Sequence, residues 1–505
     1  MHDEVLSTKG CAASDRHAAE NGVPTQRLMA QAGAAVAEAI RRRWAPRPVV
    51  VLCGPGNNGG DGFVCARLLA EAGWPVRLGL LGETGRLSGD AAWAARQWDG
   101  AVEPAAPAML EQAALVVDAL FGAGLNRALD GSAAELVEAM ARCGAPVVAV
   151  DLPSGVSGDA ARALGAAAPA VLTVTFHRRK PAHLLEPAAG LCGEIVLADI
   201  GIPDGWQDTV ASVARLNAPG LWFDRLPAGS ALDHKHAHGR LAVFTGPASA
   251  TGAARLAARA GLRIGAGLVT LASPPGALLV NAAASTAVMV RRWAGPEETG
   301  EVLDALRADA AVMGPALGVG EATCQAVLAA ATRSAHLVLD ADALTGFQDA
   351  PERLFAALRP GDVLTPHEGE FRRLFPELDA DSGNRIKRVA RAAGRAGCTV
   401  LLKGADTVIA APGETPVINR HASPALATAG SGDVLAGLIG GLVARGLSGF
   451  DAACAAVWLH GDAALHLGEG LVAEDLPDII PARLQALRRR QRSQAMLSHL
   501  LVHGS

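Results

Sequence analysis

Two stretches of the chain combine glycines, acids and hydroxyls in a way that chemistry uses. Thr428-Ala-Gly-Ser-Gly-Asp-Val-Leu-Ala-Gly437 is a glycine-rich turn that ends in an acid and runs into an apolar helix. Gly430 and Gly432 can reach backbone angles that other residues avoid. Successive N–H groups at such a turn, ahead of a helix N-terminus, cradle an anion. Asp433 stands beside that cradle, where a base is useful. Upstream, Lys403-Gly-Ala-Asp-Thr407 follows the strand-like Thr399-Val-Leu-Leu402 and offers a cation and a hydroxyl. Together they point to a nucleotide phosphate site with a catalytic carboxylate. The other stretch, Gly54-Pro-Gly-Asn-Asn-Gly-Gly-Asp-Gly62, follows the apolar run 48–53 and precedes an amphipathic helix. Strand, glycine loop and helix present backbone N–H groups to a phosphate. This loop is not the GxGxxG pattern, and its Asn and Asp oxygens suit a hard cation as well as a ligand hydroxyl. A tight turn with Asx caps is the plainer alternative, but the run is longer than a turn needs.

Further polar residues stand where apolar runs end. Asp118 lies in Val-Val-Asp-Ala-Leu-Phe-Gly-Ala-Gly124, and Asp151 in Ala-Val-Asp-Leu-Pro-Ser-Gly155. A lone acid there is ordinarily a helix cap; with the Asn58 loop, three polar strand ends converge on one crevice and favour a site. Lys180, in Thr-Phe-His-Arg-Arg-Lys-Pro181, is either part of that site or a solvated cation in a basic turn. His177 is a candidate acid, although loop histidines are commonly incidental. Downstream, Val312-Met-Gly-Pro-Ala-Leu-Gly318, Leu337-Val-Leu-Asp-Ala-Asp-Ala-Leu344 and Val363-Leu-Thr-Pro-His-Glu-Gly-Glu-Phe371 each join an apolar run to glycines or acids. A helix beginning at His367 would put it on one side with Glu370. His234, His236 and His238 alternate without a nearby carboxylate or cysteine, which reads as a polar loop rather than a metal site.

What must position these residues is an alternation of strands and helices. Apolar runs at 76–81, 114–120, 146–150, 171–176 and 194–200 are separated by helical stretches such as 132–143. That pattern predicts an α/β fold with a parallel sheet covered on both faces, whose ligands bind beyond the carboxyl ends of the strands. The second half repeats it, with closing helices expected at 432–445, 451–467 and 481–490 and a turn-rich linker at 209–233. A helical period also runs through Leu28, Met29, Ala32, Val36 and Ile40. At 505 residues the chain exceeds one core. A net charge of -5 gives no reason to expect nucleic acid or an anionic membrane as partner. The eight cysteines include no CxxC pair, which fits a reducing cytoplasm. The N-terminus lacks the pattern of a signal peptide, and the apolar stretch 265–290 is broken by Pro274-Pro275, a poor membrane span.

These motifs resemble a known family. Residues 15–208 resemble the epimerase domain of the NAD(P)H-hydrate repair enzymes, through the Asn-Asn-Gly-Gly-Asp-Gly loop, Asp-Ala-Leu-Phe-Gly-x-Gly, Asp-Leu-Pro-Ser-Gly and the closing Asp-Ile-Gly-Ile-Pro203. Residues 234–487 resemble the ribokinase-like ADP/ATP-dependent NAD(P)H-hydrate dehydratases, through Gly-Pro-x-Leu-Gly, Leu-Asp-Ala-Asp-Ala-Leu, Thr-Pro-His-x-Gly-Glu, Lys-Gly-x-Asp-Thr and the Thr428–Gly437 stretch. The resemblance implies two domains, a Rossmann-like parallel sheet at 1–215 and a ribokinase-like α/β sandwich at 225–505. It implies that Asn57, Asn58, Gly59, Gly60, Asp61, Gly122, Ala123, Gly124, Leu125, Asn126 and Asp151 contact the hydrated dinucleotide, with potassium at Asn58, Asp118 and Ser154. In the second half it implies substrate contacts from Ala253, Gly314, Gly318, His367 and Asp433. Lys403, Gly404, Ala405, Asp406, Thr407, Gly430 and Gly432 would hold ADP or ATP with magnesium. The chain departs from the pattern at Ala30, where an acid is common, and at Ala316, where the turn usually carries glycine.

The activity implied is metabolite repair in the cytoplasm by a homo-oligomer. One domain interconverts the R and S hydrates of NADH or NADPH, with Asp151 as candidate acid/base and Lys180 beside it. The other dehydrates the S form, with Asp433 as base. The alternatives are a vitamin-type small-molecule kinase of ribokinase-like fold fused to a nucleotide-binding domain, and a first domain that serves only as a scaffold.

Overall fold

Val49–Cys53 is buried along its whole length, and its side chains alternate. Val49, Val51 and Cys53 belong to one hydrophobic cluster, while Val50 and Leu52 belong to another. Such alternation belongs to a strand covered on both faces. Phe63 and Leu69 of helix Asn57–Glu71 and Val36 and Ile40 of helix Thr25–Arg41 cover the first face; Leu136, Val137 and Met140 of helix Gly131–Arg142 cover the second.

The computed structural model describes residues 3–230, 234–381 and 384–503. It divides into two units, Met1–Arg215 and Leu216–Ser505. In the first, the sheet runs in the order Glu194–Ala198, Leu172–Phe176, Val147–Val150, Leu115–Ala119, Val49–Cys53, Val76–Leu80, Val102–Pro104. All neighbours are parallel. The strand order reverses between Val49–Cys53 and Leu115–Ala119, so a crevice opens beyond the carboxyl ends of those two strands. Gly54 closes the gap there: a Cβ on it would lie 1.9 Å from the Leu120 carbonyl oxygen.

In the second unit the order is Val417–Asn419, Thr407–Ala410, Thr399–Leu402, Val363–Leu364, His336–Leu339, Ala310–Met313, Arg240–Phe244, Leu268–Ser273, Met289–Arg292. The first two junctions are antiparallel and the rest parallel. Here the order reverses between Arg240–Phe244 and Ala310–Met313. Helix Ser431–Ala444 is buried from Val434 onward, as expected of a helix apolar on every side. It lies backbone to backbone on helix Gly252–Arg263, where a Cβ on Gly437 would meet the Ala257 carbonyl oxygen at 2.1 Å.

The strands stand where the apolar runs put them, to within a residue or two. Several elements differ from the reading of the sequence or add to it, among them the last helix, which runs Asp475–His503 with Pro481 inside it rather than 481–490. The run beginning at Gly54 is not a loop throughout, because helix Asn57–Glu71 starts inside it with Gly56 as its N-cap. Helix Thr8–Glu20, capped by Ser7, precedes the helical period that begins at Leu28 and has no counterpart among the elements read from the sequence. Residues 265–290 contain the strand Leu268–Ser273, the helix Leu278–Ala283 and the start of the strand Met289–Arg292. Part of the supposed linker is docked: Trp222 is buried in the core of the second unit, and its indole N–H donates to Asn217 Oδ1 at 3.0 Å. Residues 231–233 of that stretch lie outside the described residues. Among the described residues no helix is long and apolar enough to cross a membrane.

Ala316 sits at the second reversal with φ of 58°, a left-handed conformation that a Cβ disfavours. Ala316→Gly is therefore expected to stabilise the second unit by up to about 1 kcal/mol, the relief of that strain being partly offset by a freer unfolded chain. A urea titration should show a higher midpoint; a lower one would mean that the alanine is not strained.

Candidate active sites

Asp151 follows the strand Val147–Val150 with φ of 66°, an angle that aspartate tolerates better than most residues. The turn aims its carboxylate back at the neighbouring strand. Oδ1 receives Lys180 Nζ at 2.6 Å and the Thr175 hydroxyl at 3.0 Å, and Oδ2 receives the Ala123 N–H at 2.9 Å. Lys180 Nζ also donates to Thr175 Oγ1 at 3.0 Å. Burial works against the Asp151 carboxylate, but Lys180 and these hydrogen bonds outweigh it and hold the group at about 2. Burial likewise opposes the ammonium of Lys180, which Asp151 carries well above its ordinary range. The two form a buried ion pair, so Lys180 is not a solvated cation.

His183 fixes the Asp151 backbone. Its Nδ1 accepts the Lys180 N–H at 2.9 Å, so its proton is on Nε2, 2.8 Å from the Asp151 carbonyl oxygen. Burial and the Lys180 charge lower its pKa to about 4, which keeps it neutral.

Asn57, Asn58, Asp61, Gly122, Ala123, Gly124, Leu125, Asn126, Asp151 and Lys180 all line one cavity of about 690 Å³. Gly122 is small for a reason: a Cβ would stand 2.8 Å from Asn58 Oδ1 and 3.0 Å from Asp151 Oδ2. Gly59 and Gly60 instead pack inward, where a Cβ would meet the Gly54 carbonyl oxygen at 1.9 Å and the Met29 methyl at 2.5 Å. Asp61, in the first turns of its helix, is pushed well above the carboxylate range by burial and by Asp151 and Asp15.

Asp118 and Ser154 are fully buried. The Ser154 hydroxyl and N–H donate to the two Asp118 oxygens at 2.6 and 2.8 Å, and the Leu120 N–H approaches at 3.3 Å. Burial raises Asp118, and only hydrogen bonds oppose it; no basic side chain contributes. The oxygens of Asp118 and Ser154, buried without a basic side chain, are hard donors of the kind a monovalent cation takes; Asn58 would add its amide oxygen, which faces Gly122, while its unpartnered Nδ2 is a donor and no ligand.

The second unit repeats the arrangement of lysine on aspartate. Lys403 Nζ lies 2.6 Å from Asp340 Oδ1. The pair faces the N-terminus of helix Ser431–Ala444: a Cβ on Gly432 would lie 3.6 Å from Lys403 Nζ and 3.9 Å from Asp340 Oδ2. Gly430, with φ of 88°, caps that helix. Asp433, in its first turn, is lifted to about 6 by burial and by Asp340, against the pull of Lys403. His367 caps helix Glu368–Leu374; its Nδ1 accepts the Gly369 N–H at 2.9 Å, and Glu370 Oε2 accepts the His367 N–H at 2.8 Å. Burial raises Glu370, opposed by Lys403 and reinforced by Asp340.

Lys403, Gly404, Ala405, Asp406 and Thr407 make the hairpin turn between Thr399–Leu402 and Thr407–Ala410. Within it Gly404 and Ala405 are exposed. Thr407 Oγ1 is engaged with the Gly404 backbone, and Asp406 is buried 3.5 Å from Arg385. Gly314 and Gly318 bound the turn at the reversal, where the Gly318 N–H donates to Asp342 Oδ2 at 2.8 Å. Ala253 opens helix Gly252–Arg263, whose Leu256 lies against Gly430. His234, His236 and His238 lie in or beside the surface turn Lys235–His238.

Several residues of these sites are missing from the sequence-based list. Asp340 and Asp342 are both visible at the end of one strand, but only the fold shows that the first meets a lysine and the second a glycine turn. Asp15 and Cys11 reach the first cavity from helix Thr8–Glu20. Thr175 and His183 act through partners that no spacing announces.

Residues 25–182 match the family model described as YjeF-related protein N-terminus, and residues 241–483 match the model described as NAD(P)H-hydrate dehydratase. A bifunctional NAD(P)H-hydrate repair enzyme of Moorella thermoacetica is 36% identical, covering 92% of this chain and 93% of that protein. One of Coxiella burnetii is 34% identical, covering 92% and 95%. A solved ADP/ATP-dependent NAD(P)H-hydrate dehydratase from Bacillus subtilis, co-crystallised with ATP and magnesium, is 27% identical with a TM-score of 0.47, covering 54% of this chain and 98% of its own.

The Asp151–Lys180 pair carries a stability signature. Because the folded Asp151 carboxyl lies near 2, below the ordinary value of about 4, its contribution is complete above about pH 4 and lost as pH falls towards 2. Lys180→Met should destabilise the chain by roughly 3–5 kcal/mol through an unpaired buried charge, and adding Asp151→Asn should recover much of it. Thermal melts of the two variants check this; equal midpoints would mean that the pair is not coupled.

Proposed function

The chain belongs to the family of bifunctional NAD(P)H-hydrate repair enzymes, and we propose that its two units divide that repair. The first, residues 1–215, interconverts the R and S hydrates of NADH and NADPH. The second, from about residue 225 to 505, dehydrates the S form at the expense of ADP or ATP. What carries this reading is the pair of sheet-edge sites, each a lysine–aspartate pair at 2.6 Å beside a glycine-rich helix N-terminus.

In the second unit the substrate hydroxyl at C6 is a poor leaving group until it is phosphorylated. Its oxygen attacks the terminal phosphorus of the nucleotide, the bond to the nucleotide's bridging oxygen breaks, and Asp433 takes the hydroxyl proton. The pKa of about 6 leaves Asp433 ionised at neutral pH yet basic enough to accept it. The N–H groups at Gly430 and Gly432 and the ammonium of Lys403 hold the charge of the moving phosphoryl group. Loss of phosphate from C6 and of a proton from C5 then restores the dihydropyridine. Gly404, Ala405, Asp406 and Thr407 line the nucleotide's approach, while Ala253, Gly314, Gly318 and His367 contact the hydrate. Magnesium brought with the nucleotide would have Glu370 as its nearest acidic side chain in this reading. It would offset phosphate charge.

In the first unit Asn57, Asn58, Asp61 and the Gly122–Asn126 segment cradle the hydrate, and Asp151, oriented by Lys180, is the base. Gly59 and Gly60 serve by letting the helix N-terminus close on the strand. Potassium would be held by Asn58, Asp118 and Ser154 and would balance the Asp118 charge. The eight free cysteines fit a reducing cytoplasm, and self-association is part of the same reading.

The test is recovery of dihydronicotinamide absorbance from mixed R and S hydrates of NADH with ADP or ATP, magnesium and potassium. The wild type should recover all of it. Asp151→Asn should recover only the S fraction. Asp433→Asn should slow dehydration by roughly 10²–10⁴-fold, and the wild-type rate should fall below about pH 6 as Asp433 protonates. Equal loss of both activities in Asp151→Asn would sink the division of labour.

A further inference from the structure

The cavity of the first unit contains an acid that this scheme leaves without a task. Asp15 lies about two turns into helix Thr8–Glu20. That helix is tied down along its length. Thr8 N–H and Oγ1 donate to the two Asp159 carboxylate oxygens, each at 2.8 Å, and His17 Nε2 lies 3.2 Å from the Asp204 carbonyl oxygen. Asp15 is therefore held in place by its element rather than by a side-chain partner. It lines the same cavity as Asp151 and Lys180, which come from the opposite kind of element, the ends of strands. It is exposed at the cavity wall, whereas Asp61 is buried in its helix.

Three other groups of the cavity are poor proton donors, and Asp61, although protonated, is buried in its helix. Lys180 is locked to Asp151 and Thr175. The Cys11 thiol is pushed up by burial to about 11. Asp151 is held ionised. Although open to the cavity, the Asp15 carboxyl is pushed up to about 6 by the protein surrounding the cavity wall and by Asp151, against the pull of Lys180 and Arg16. Asp15 in turn raises Cys11 and Asp61, and Lys9, Asp90, Arg127 and His177 line the same cavity.

We propose that Asp15 is the catalytic acid of epimerisation, giving its proton to the departing hydroxyl of the hydrate while Asp151 serves as the base for water returning on the other face. This rests on the epimerase reading of the first unit. The N1 lone pair becomes the N1=C6 π bond as the C6–O bond breaks, and the departing oxygen takes the Asp15 proton and leaves as water. A second water adds to C6 through an oxygen lone pair, the π electrons return to N1, and Asp151 takes the surplus proton. Exchange with solvent moves that proton back to Asp15. The reverse epimerisation uses the same two groups in the opposite order. Two carboxyls from different elements of one cavity let one group give the proton while the other takes it.

The experiment uses the full chain and each hydrate separately, with R-to-S conversion followed by chromatographic separation of the two forms. Asp15→Asn should lower kcat for epimerisation by roughly 10²–10⁴-fold with little change in KM, and Asp15→Glu should restore part of it. The wild-type pH profile should lose activity above about 6, as the acid ionises, and Asp15→Asn should lack that limb. Dehydration of the pure S hydrate should be unchanged in the variant, which shows the second unit intact, and the partial rescue by Asp15→Glu together with an unchanged KM shows that the first unit is folded. An Asp15→Asn rate within threefold of wild type, or a limb that survives the substitution, overturns the acid while leaving the epimerase reading intact. A wild type that never equilibrates the two hydrates overturns the reading and the acid with it.

Discussion

In both units the first strand beside the reversal of sheet order ends at a glycine pressed against a carbonyl across the gap. A Cβ on Gly54 would meet the Leu120 oxygen at 1.9 Å, and one on Gly246 would meet the Ala316 oxygen at 1.8 Å. Real Cβ atoms do not come that close, so only glycine lets the two loops meet. Everything downstream depends on this contact. It brings Asn58 beside Asp151 in the first unit, and it places the Gly314–Gly318 turn at the second reversal. A parallel sheet creates a crevice at such a point; the glycines set how tightly it closes.

Electrostatics then separates the acids by function. Each unit sets one lysine against one aspartate at 2.6 Å. Lysine is scarce in this chain, at positions 9, 180, 235, 387 and 403, and two of the five occupy these posts. A compact ammonium on a flexible stem can reach a buried carboxylate where a planar guanidinium would need more room. The acid that gains the lysine stays ionised, as Asp151 does. The acids that share the space without a lysine of their own are pushed the other way, as Asp15 and Asp433 are, both to about 6. Burial, overcome by a close lysine at one acid and not at its neighbour, thus leaves acids of opposite character within the first site, which is what acid–base chemistry near neutral pH requires.

Backbone conformation sets the remaining geometry. Asp151 and Ala316 both adopt positive φ, of 66° and 58°. At Asp151 the left-handed turn aims a carboxylate into the cavity and is braced by His183 and the Ala123 N–H. At Ala316 no comparable bracing is visible in its side chain, which is a single methyl.

The alternation of apolar runs with helical periods was sufficient to read two α/β sheets, and the polar strand ends to single out Asp151 and the Asn58 loop, which line one cavity. Those signals survive in sequence because they are local: a buried strand needs consecutive apolar residues, and a tight turn needs glycine where it stands. What the sequence left open was long-range. Lys180 could be a solvated cation until Asp151, 29 positions away, met it. Asp340 and Asp342 look alike until one faces Lys403 and the other the Gly318 amide. Helix Thr8–Glu20 has no strong apolar stripe of its own, so neither it nor Asp15 could be read before the chain brought it to the cavity. Residue types and turns are fixed by the chain's order, but the pKa of a carboxyl is fixed by which charges and how much protein surround it, and only the folded arrangement of distant segments supplies those.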